Sequence, residues 1–241
     1  MKEKMNKDLE IKTKGELAVF DPRANFTAND NLEGTTPRLP KISVIHKAEQ
    51  FKVGLKEEKT SKIIGIIVDS NMIHAYWEKE YDGTNLPPDC SSMDAKTPDS
   101  GENMQHDNCK KCPMNQYGSD GGRGKACKNM RRIHVLMPDK DIPYRLTITA
   151  SSLKSWEDYM FELAEDSLHY YYVVTEITLV PAKNSGGIEF SRAAFQKLSI
   201  IDGETANKIK KMRVDGREQM RGESIEADEH GDNSKPVEDP Y

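Results

Sequence analysis

The sequence is short of apolar residues. Ala, Val, Ile, Leu, Met, Phe, Trp, Cys and Gly make up roughly 39% of the chain, against roughly 45–50% in typical globular proteins. Part of the chain is therefore expected not to pack, and the polar residues gather at its two ends. Long hydrophobic runs are missing as well. None approaches the roughly 20 residues that span a bilayer, which excludes a transmembrane helix. The opening stretch, MKEKMNKDLEIKTKGEL, has no apolar segment followed by a small-residue cleavage site, so no secretory signal is expected. Cysteine is scarce, with four in 241 residues. Four cysteines and no signal argue against a disulfide scaffold and for a metal site in a reducing compartment. The expectation is a soluble cytoplasmic protein with no membrane partner, built as one domain plus extensions or as two small domains.

What is present divides the chain. Residues 1–37 read as a flexible N-terminal arm, and a main domain follows over 38–200. Its segments KISVIHK, Lys62–Val68 (KIIGIIV) and Met72–Lys79 (MIHAYWEK) are strand-like, with Asp69-Ser70-Asn71 as a turn between the last two. Between about 83 and 130 apolar periodicity vanishes while Gly and Pro become frequent. That insertion is too long for a bare loop and needs an organiser. Strands resume at Arg131–Met137 and Tyr144–Thr149. A helix capped by Ser151 or Ser152 follows to about Glu165, placing Leu153, Trp156, Met160 and Leu163 on one face. Trp156 and Phe161 are assigned to packing beside it. Tyr170–Val180 is the strongest strand signal, Ile188–Phe190 follows, and a charged helix is expected over 201–222, then a disordered acidic tail over 223–241. No internal repeat is visible. The order of elements suits a mainly β fold with α, an OB-like five-stranded barrel carrying an insertion; a mixed α+β sheet is the alternative.

All four cysteines lie in the insertion, as Cys90, Cys109, Cys112 and Cys127, spaced C-x18-C-x2-C-x14-C. The C-x-x-C pair turns two thiolates toward one ion, and two more complete a tetrahedral shell suited to Zn²⁺. A closed four-thiolate site has no open position and would be structural, supplying the missing organiser as folding free energy. An Fe–S cluster is also compatible with four cysteines. A redox C-x-x-C lacks its βαβ context, and His106 reads as a solvated loop residue beside four available thiols. GSDGGRGKACK (Gly118–Lys128) only superficially resembles a phosphate-binding loop. Ser119 stands where its first glycine belongs, and Ala126 follows the lysine.

Charge is uneven under an overall −5. Lys110, Lys111, Arg123, Lys125, Lys128, Arg131 and Arg132 crowd residues 109–132 against Asp120 alone, whereas the last nineteen residues carry a net −6. A basic module suits phosphates, and bases need flat side chains to stack on. Tyr76, Trp77 and Tyr117, in or leading into the insertion, are the candidates. The ending Glu238-Asp239-Pro240-Tyr241 offers an aromatic and a free carboxylate to basic pockets on partners.

The cysteine module and the aromatic-ended acidic terminus together resemble the single-stranded DNA-binding proteins of bacteria, phages and mobile elements. In these, a zinc ribbon can be inserted in an OB-type domain. Here the chain ends in DPY where the bacterial proteins usually end in a Pro-Phe pair. The resemblance implies Cys90, Cys109, Cys112 and Cys127 as structural zinc ligands. It also implies Asp239 to Tyr241 as the end that recruits replication or recombination proteins, in a bacterial or phage-infected cell. The expected function is non-enzymatic binding of single-stranded DNA in replication, recombination or repair. Alternatives are a zinc-stabilised adaptor or loader of a replisome, or an RNA-binding protein. Asp69, Glu78, Glu80 and Asp82 show no metal-catalytic spacing, so no enzyme is expected.

Overall fold

The computed structural model describes residues 38–45, 48–79, 86–99, 103–122, 124–138, 140–183, 187, 189–226 and 229, all within the unit that begins at Pro37. The N-terminal arm, Arg123 and the terminal residues Glu238, Asp239, Pro240 and Tyr241 lie outside them. The described residues are mainly β with two α-helices: β1 (Lys41–Ile45), β2 (Gln50–Val53), β3 (Glu58–Thr60), β4 (Lys62–Tyr76), β5 (Cys90–Ser92), β6 (Lys128–Leu136), β7 (Tyr144–Ile148), α1 (Ala150–Glu165), β8 (Val173–Lys183), β9 (Glu189–Ile200) and α2 (Gly203–Gly222). The strands form one sheet in the order β3-β2-β1-β7-β6-β4-β8-β9, with β5 paired to the far end of β4. Every pairing is antiparallel except β1 with β7. Among the described residues no helix is long and apolar enough to cross a membrane.

β4 differs from what its sequence suggests. The sequence suggests two strands and a turn at Asp69-Ser70-Asn71, but the chain runs straight through as one 15-residue strand. Each polar residue of the expected turn has found a partner that lets it stay extended. Asp69 accepts from Arg221 Nε at 2.6 Å and Nη2 at 3.0 Å. Ser70 Oγ accepts from Arg131 Nη1 at 2.8 Å, and Asn71 Nδ2 donates to the Met93 carbonyl at 2.8 Å. Turn chemistry prevails where polar groups lack such partners; here all three residues are engaged across strands and helix, with only Asn71 Oδ1 left without a hydrogen bond among the described residues. A register shift between Ile67 and Asp69 lets Ile67 oppose Val135 while Asp69 opposes His134. Just before it, Gly65 is required by close approach, since a Cβ there would stand 2.5 Å from the Leu136 carbonyl oxygen.

Alternation then separates two faces. On one, Ile63, Ile67, Ile133, Val135, Leu146, Ile148 and Ile177 pack with Trp156 of α1. Each fully buried Ile there contributes about 1.5–3 kcal/mol. Trp156 meets Phe195 edge-on at 5.4 Å. α1 begins at Ala150, behind Thr149, rather than at a serine cap. The Ser152 hydroxyl is used instead to accept from the Ala193 amide of β9 at 2.8 Å. Phe161, expected to pack, is exposed. The opposite face is covered by α2, whose Ile209 and Met220 pack with Leu39 and Val68. The Asp202 carboxylate caps α2, accepting from the Thr205 amide at 2.8 Å.

The acidic segment after α2 departs from expectation. Ile225 is buried against Ile73, Ala75 and Met130, and Glu229 is buried against the sheet. The reason is two arginines on the covered face, which turn a run of glutamates from a solvated tail into a packed one.

Candidate functional site

The cysteine module hangs between β4 and β6. β5 brings Cys90 beside Tyr76 and Ser92 beside His74 by pairing with the end of β4. Asp94 Oδ1 then accepts from the Lys96 and Thr97 amides at 2.7 and 2.8 Å, turning the chain back so that the Cys109 amide donates to the Lys96 carbonyl at 2.9 Å. In the C-x-x-C knuckle, Asn108 Oδ1 accepts from the amides of Lys110 and Lys111 at 3.0 and 3.2 Å. Asn115 Nδ2 and Gln116 Nε2 donate to the carbonyls of Cys109 and Cys112 at 2.9 and 3.1 Å. The Cys127 amide closes the module on the Met114 carbonyl at 2.8 Å. Gly118 and Gly122, at φ +94° and +92°, make the turn that leads there.

These contacts bring all four cysteines to the lining of one cavity of about 10 Å³, with His74, Tyr76, Ser92 and His106. That volume admits about one water-sized body. All four thiols are free, and Cys109, Cys112 and Cys127 are buried. Burial, and then the neighbouring thiols, push Cys127 up to about 12. Burial also raises Cys109, against a hydrogen bond from Ser92. His74 is pushed down to about 4, first by burial and then by Lys125. Among the described residues no group of three or more His, Cys, Asp or Glu is arranged to hold a metal ion. Four sulfurs lining one cavity are donors of the type Zn²⁺ takes, but their arrangement does not form a shell.

The residues expected to contact nucleic acid are dispersed. Lys110 and Lys111 are exposed, and Tyr117 is 61% exposed. Lys125 is half-buried, and Lys128 is paired with Asp120 at 2.8 Å. Tyr76 is half-buried on the cavity, and Trp77 donates its indole N–H to the Leu86 carbonyl at 3.1 Å. Arg131 turns inward, with its guanidinium 5.3 Å over the Trp156 ring. Arg132 is wholly buried. Its Nη2 holds both Glu229 carboxylate oxygens at 3.0 Å, while Nη1 donates to the Glu223 carbonyl at 2.6 Å. The alternation that exposes one side of a half-buried strand fails here because both sides of β6 are covered. Arg132 therefore supports the fold and presents no guanidinium to a ligand, whereas Arg131 is half-buried.

A second polar cluster escaped the sequence reading. On the α2 side of the sheet, Asp69, His134 and Arg145 lie across β4, β6 and β7, next to Asn71, Arg132 and Thr147. Arg145 reaches Glu223 at 2.7 Å, Glu226 at 2.6 Å and Glu229 at 3.4 Å. Thr147 donates to Glu229. Burial works to raise the Glu229 carboxyl, but Arg132 and Arg145 outweigh it and hold the group below its usual range. His134 is fully buried, and neither ring nitrogen has a hydrogen-bond partner among the described residues. Burial, then Arg132, push it down to about 3. From α2, Arg213, Arg217 and Arg221 all point at Asp69. The available signal was charge placed at alternate positions in RRIHVL and YRLTI, inside strands rather than at their ends. Comparison with models of protein families, with curated proteins and with solved structures finds no match to this chain.

Proposed function

We propose that this chain is a non-enzymatic single-stranded DNA-binding protein of replication, recombination or repair, with an OB-like body. The observation that carries the reading is connectivity. β4 pairs with both β6 and β8, β6 with β7, β8 with β9, and α1 lies between β7 and β8. This connectivity fits the strand order of an OB barrel, with β7 pairing with β1 and no β7–β9 closing pair among the described residues; in this reading the cysteine module is the loop between the first two barrel strands. OB folds bind oligonucleotides with that loop and the adjoining strands. Exposed Lys110, Lys111 and Tyr117 supply the charge and the flat surface such a loop uses. The resemblance to phage and bacterial single-stranded DNA-binding proteins supports the same assignment. The terminal Glu238, Asp239, Pro240 and Tyr241 recruit replication or recombination proteins in this reading.

Within it, Cys90, Cys109, Cys112 and Cys127 draw together on one structural Zn²⁺, which offsets the mutual repulsion of thiolates and stabilises the module. Metal analysis of purified protein should give one zinc per chain, and chelation should lower the unfolding temperature. A metal-free protein with an undiminished unfolding temperature rejects zinc.

The function is tested with labelled single- and double-stranded oligonucleotides across a salt series. Tight single-strand preference that weakens steeply with salt is expected, with K110A/K111A/Y117A binding more weakly. A folded protein that retains neither nucleic acid, yet captures replication proteins, is an adaptor instead. RNA competitors decide between DNA and RNA. Recruitment is best tested by removing 231–241, which leaves the Glu223, Ile225 and Glu229 contacts in place.

A further inference from the structure

We infer that Arg213 and Arg217 of α2, beside the His169–Tyr172 aromatic cluster, hold the phosphates of a single nucleic-acid strand. This extends the contact path away from the cysteine module, and it rests on the proposed single-strand binding. The Asp69 carboxylate is fully buried and already satisfied by Arg221, which grips both its oxygens at 2.6 and 3.0 Å and reaches the Ser70 carbonyl at 3.1 Å. Arg213 and Arg217 approach the same carboxylate only through Nε, at 3.5 and 3.8 Å. Three guanidiniums thus face one carboxylate. The arginines stand at i, i+4 and i+8 on one stripe, where like charges oppose helix formation. Of the acids on α2, Glu204 and Asp215 are paired with Lys208 and Lys211, leaving Glu218 as the other carboxylate of the helix. The stripe therefore carries positive charge beyond what Asp69 neutralises, and it reaches solvent chiefly at Arg217, whose side chain is half exposed, while Arg213 is 22% exposed.

The neighbouring surface has the other half of the chemistry. The Arg213 guanidinium lies 4.3 Å from the Tyr171 ring centre and 5.4 Å from that of Tyr170. His169, exposed, lies parallel to Tyr171 at 5.0 Å and 7°. Tyr172 meets Tyr171 edge-on at 4.5 Å. A flat, exposed ring beside surplus guanidiniums is the pairing that accepts a base and its phosphate without sequence readout. Protein partners with acidic patches would use the charge but not the rings, so single-stranded nucleic acid is the better fit.

The test compares full-length protein with R213Q/R217Q, using a labelled oligothymidylate over a salt series. The variant should bind more weakly, and the slope of log K against log salt should be shallower by about 1.4, two phosphate contacts' worth for a single strand. Its unfolding midpoint should stay within a few degrees of the parent, because Arg221 keeps Asp69 satisfied. H169A should weaken binding without changing the slope. R213K/R217K should restore the slope, which separates charge from folding if the glutamine variant is unstable. A parent that binds with a variant of equal affinity and slope overturns this inference alone. A parent that binds no oligonucleotide overturns it together with the reading beneath it.

Discussion

The two faces of β6 are buried to the same degree by opposite means. Ile133 and Val135 face Trp156 and the aliphatic core, where burial itself is favourable and no partner has to be found. Arg132 and His134 face α2 and the segment after it, where burial is costly and each group depends on what comes to meet it. Arg132 is met by Glu229, 97 residues later; His134 is met by no hydrogen-bond partner among the described residues. One face is held by apolar composition alone, and the other adds a few long-range ionic contacts to its apolar packing. A mainly aliphatic face degrades gradually under substitution, whereas a face of this second kind fails when one partner is lost.

The largest expected effect follows from that dependence. Glu229→Gln leaves Arg132 charged and enclosed, and should cost about 3–5 kcal/mol in unfolding free energy, read from urea denaturation. Arg132→Met combined with Glu229→Leu should recover most of the loss, because paired apolar replacement removes the desolvation cost on both sides. Truncation after Gly222 should resemble the single variant. A Glu229→Gln protein as stable as the parent would mean that residues 223–229 are not docked in solution.

Strand positions and the aliphatic core were legible in the sequence because they rest on local alternation. Lys62–Val68, Arg131–Met137, Tyr144–Thr149, the α1 stripe through Trp156, and the helix beyond Asp202 all correspond to observed elements. The continuation of β4 through Asp69 was not legible. What turns an Asp-Ser-Asn run into strand is an arginine 152 residues away, and no local rule contains it. The same holds for Arg132, whose neighbours in sequence suggested a basic surface while Glu229 decided its role. The strands Gln50–Val53 and Glu58–Thr60 were missed because they are short and charged. The gathering of the cysteines in one cavity was foreshadowed by spacing; the arginine stripe of α2 was not, since a charged helix most often points its charges at water.

His134 gives the intermediate effect, and one that depends on pH. Its folded value is about 3 against an ordinary 6.5, so below pH 6.5 the unfolded chain binds a proton that the folded chain refuses. Its contribution is complete above that pH and is lost as pH falls toward the folded value, at up to about 1.4 kcal/mol per unit. Between pH 6.5 and pH 5 the loss is about 2 kcal/mol. Asp69 favours the charged ring, while Arg132, Arg145 and Arg221 oppose it. His134→Leu should flatten this portion of the stability–pH curve. An unchanged slope in the variant would show that the ring is charged or hydrogen-bonded in the folded protein.

The smallest effect is the control that gives the comparison its meaning. Ile133 lies between Arg132 and His134 on the same strand and is equally enclosed. It points at the aliphatic face, where its neighbours are Trp156 and other branched side chains. Ile133→Val removes one methylene group and should cost about 0.5–1.5 kcal/mol, the transfer term plus a small cavity. The cost should be the same from pH 5 to pH 7.5 and insensitive to salt, because nothing that titrates is touched. Urea unfolding at two pH values decides the matter. Should Ile133→Val acquire the pH dependence assigned to His134, the two faces are coupled through the strand, and burial on one is not independent of ion pairing on the other.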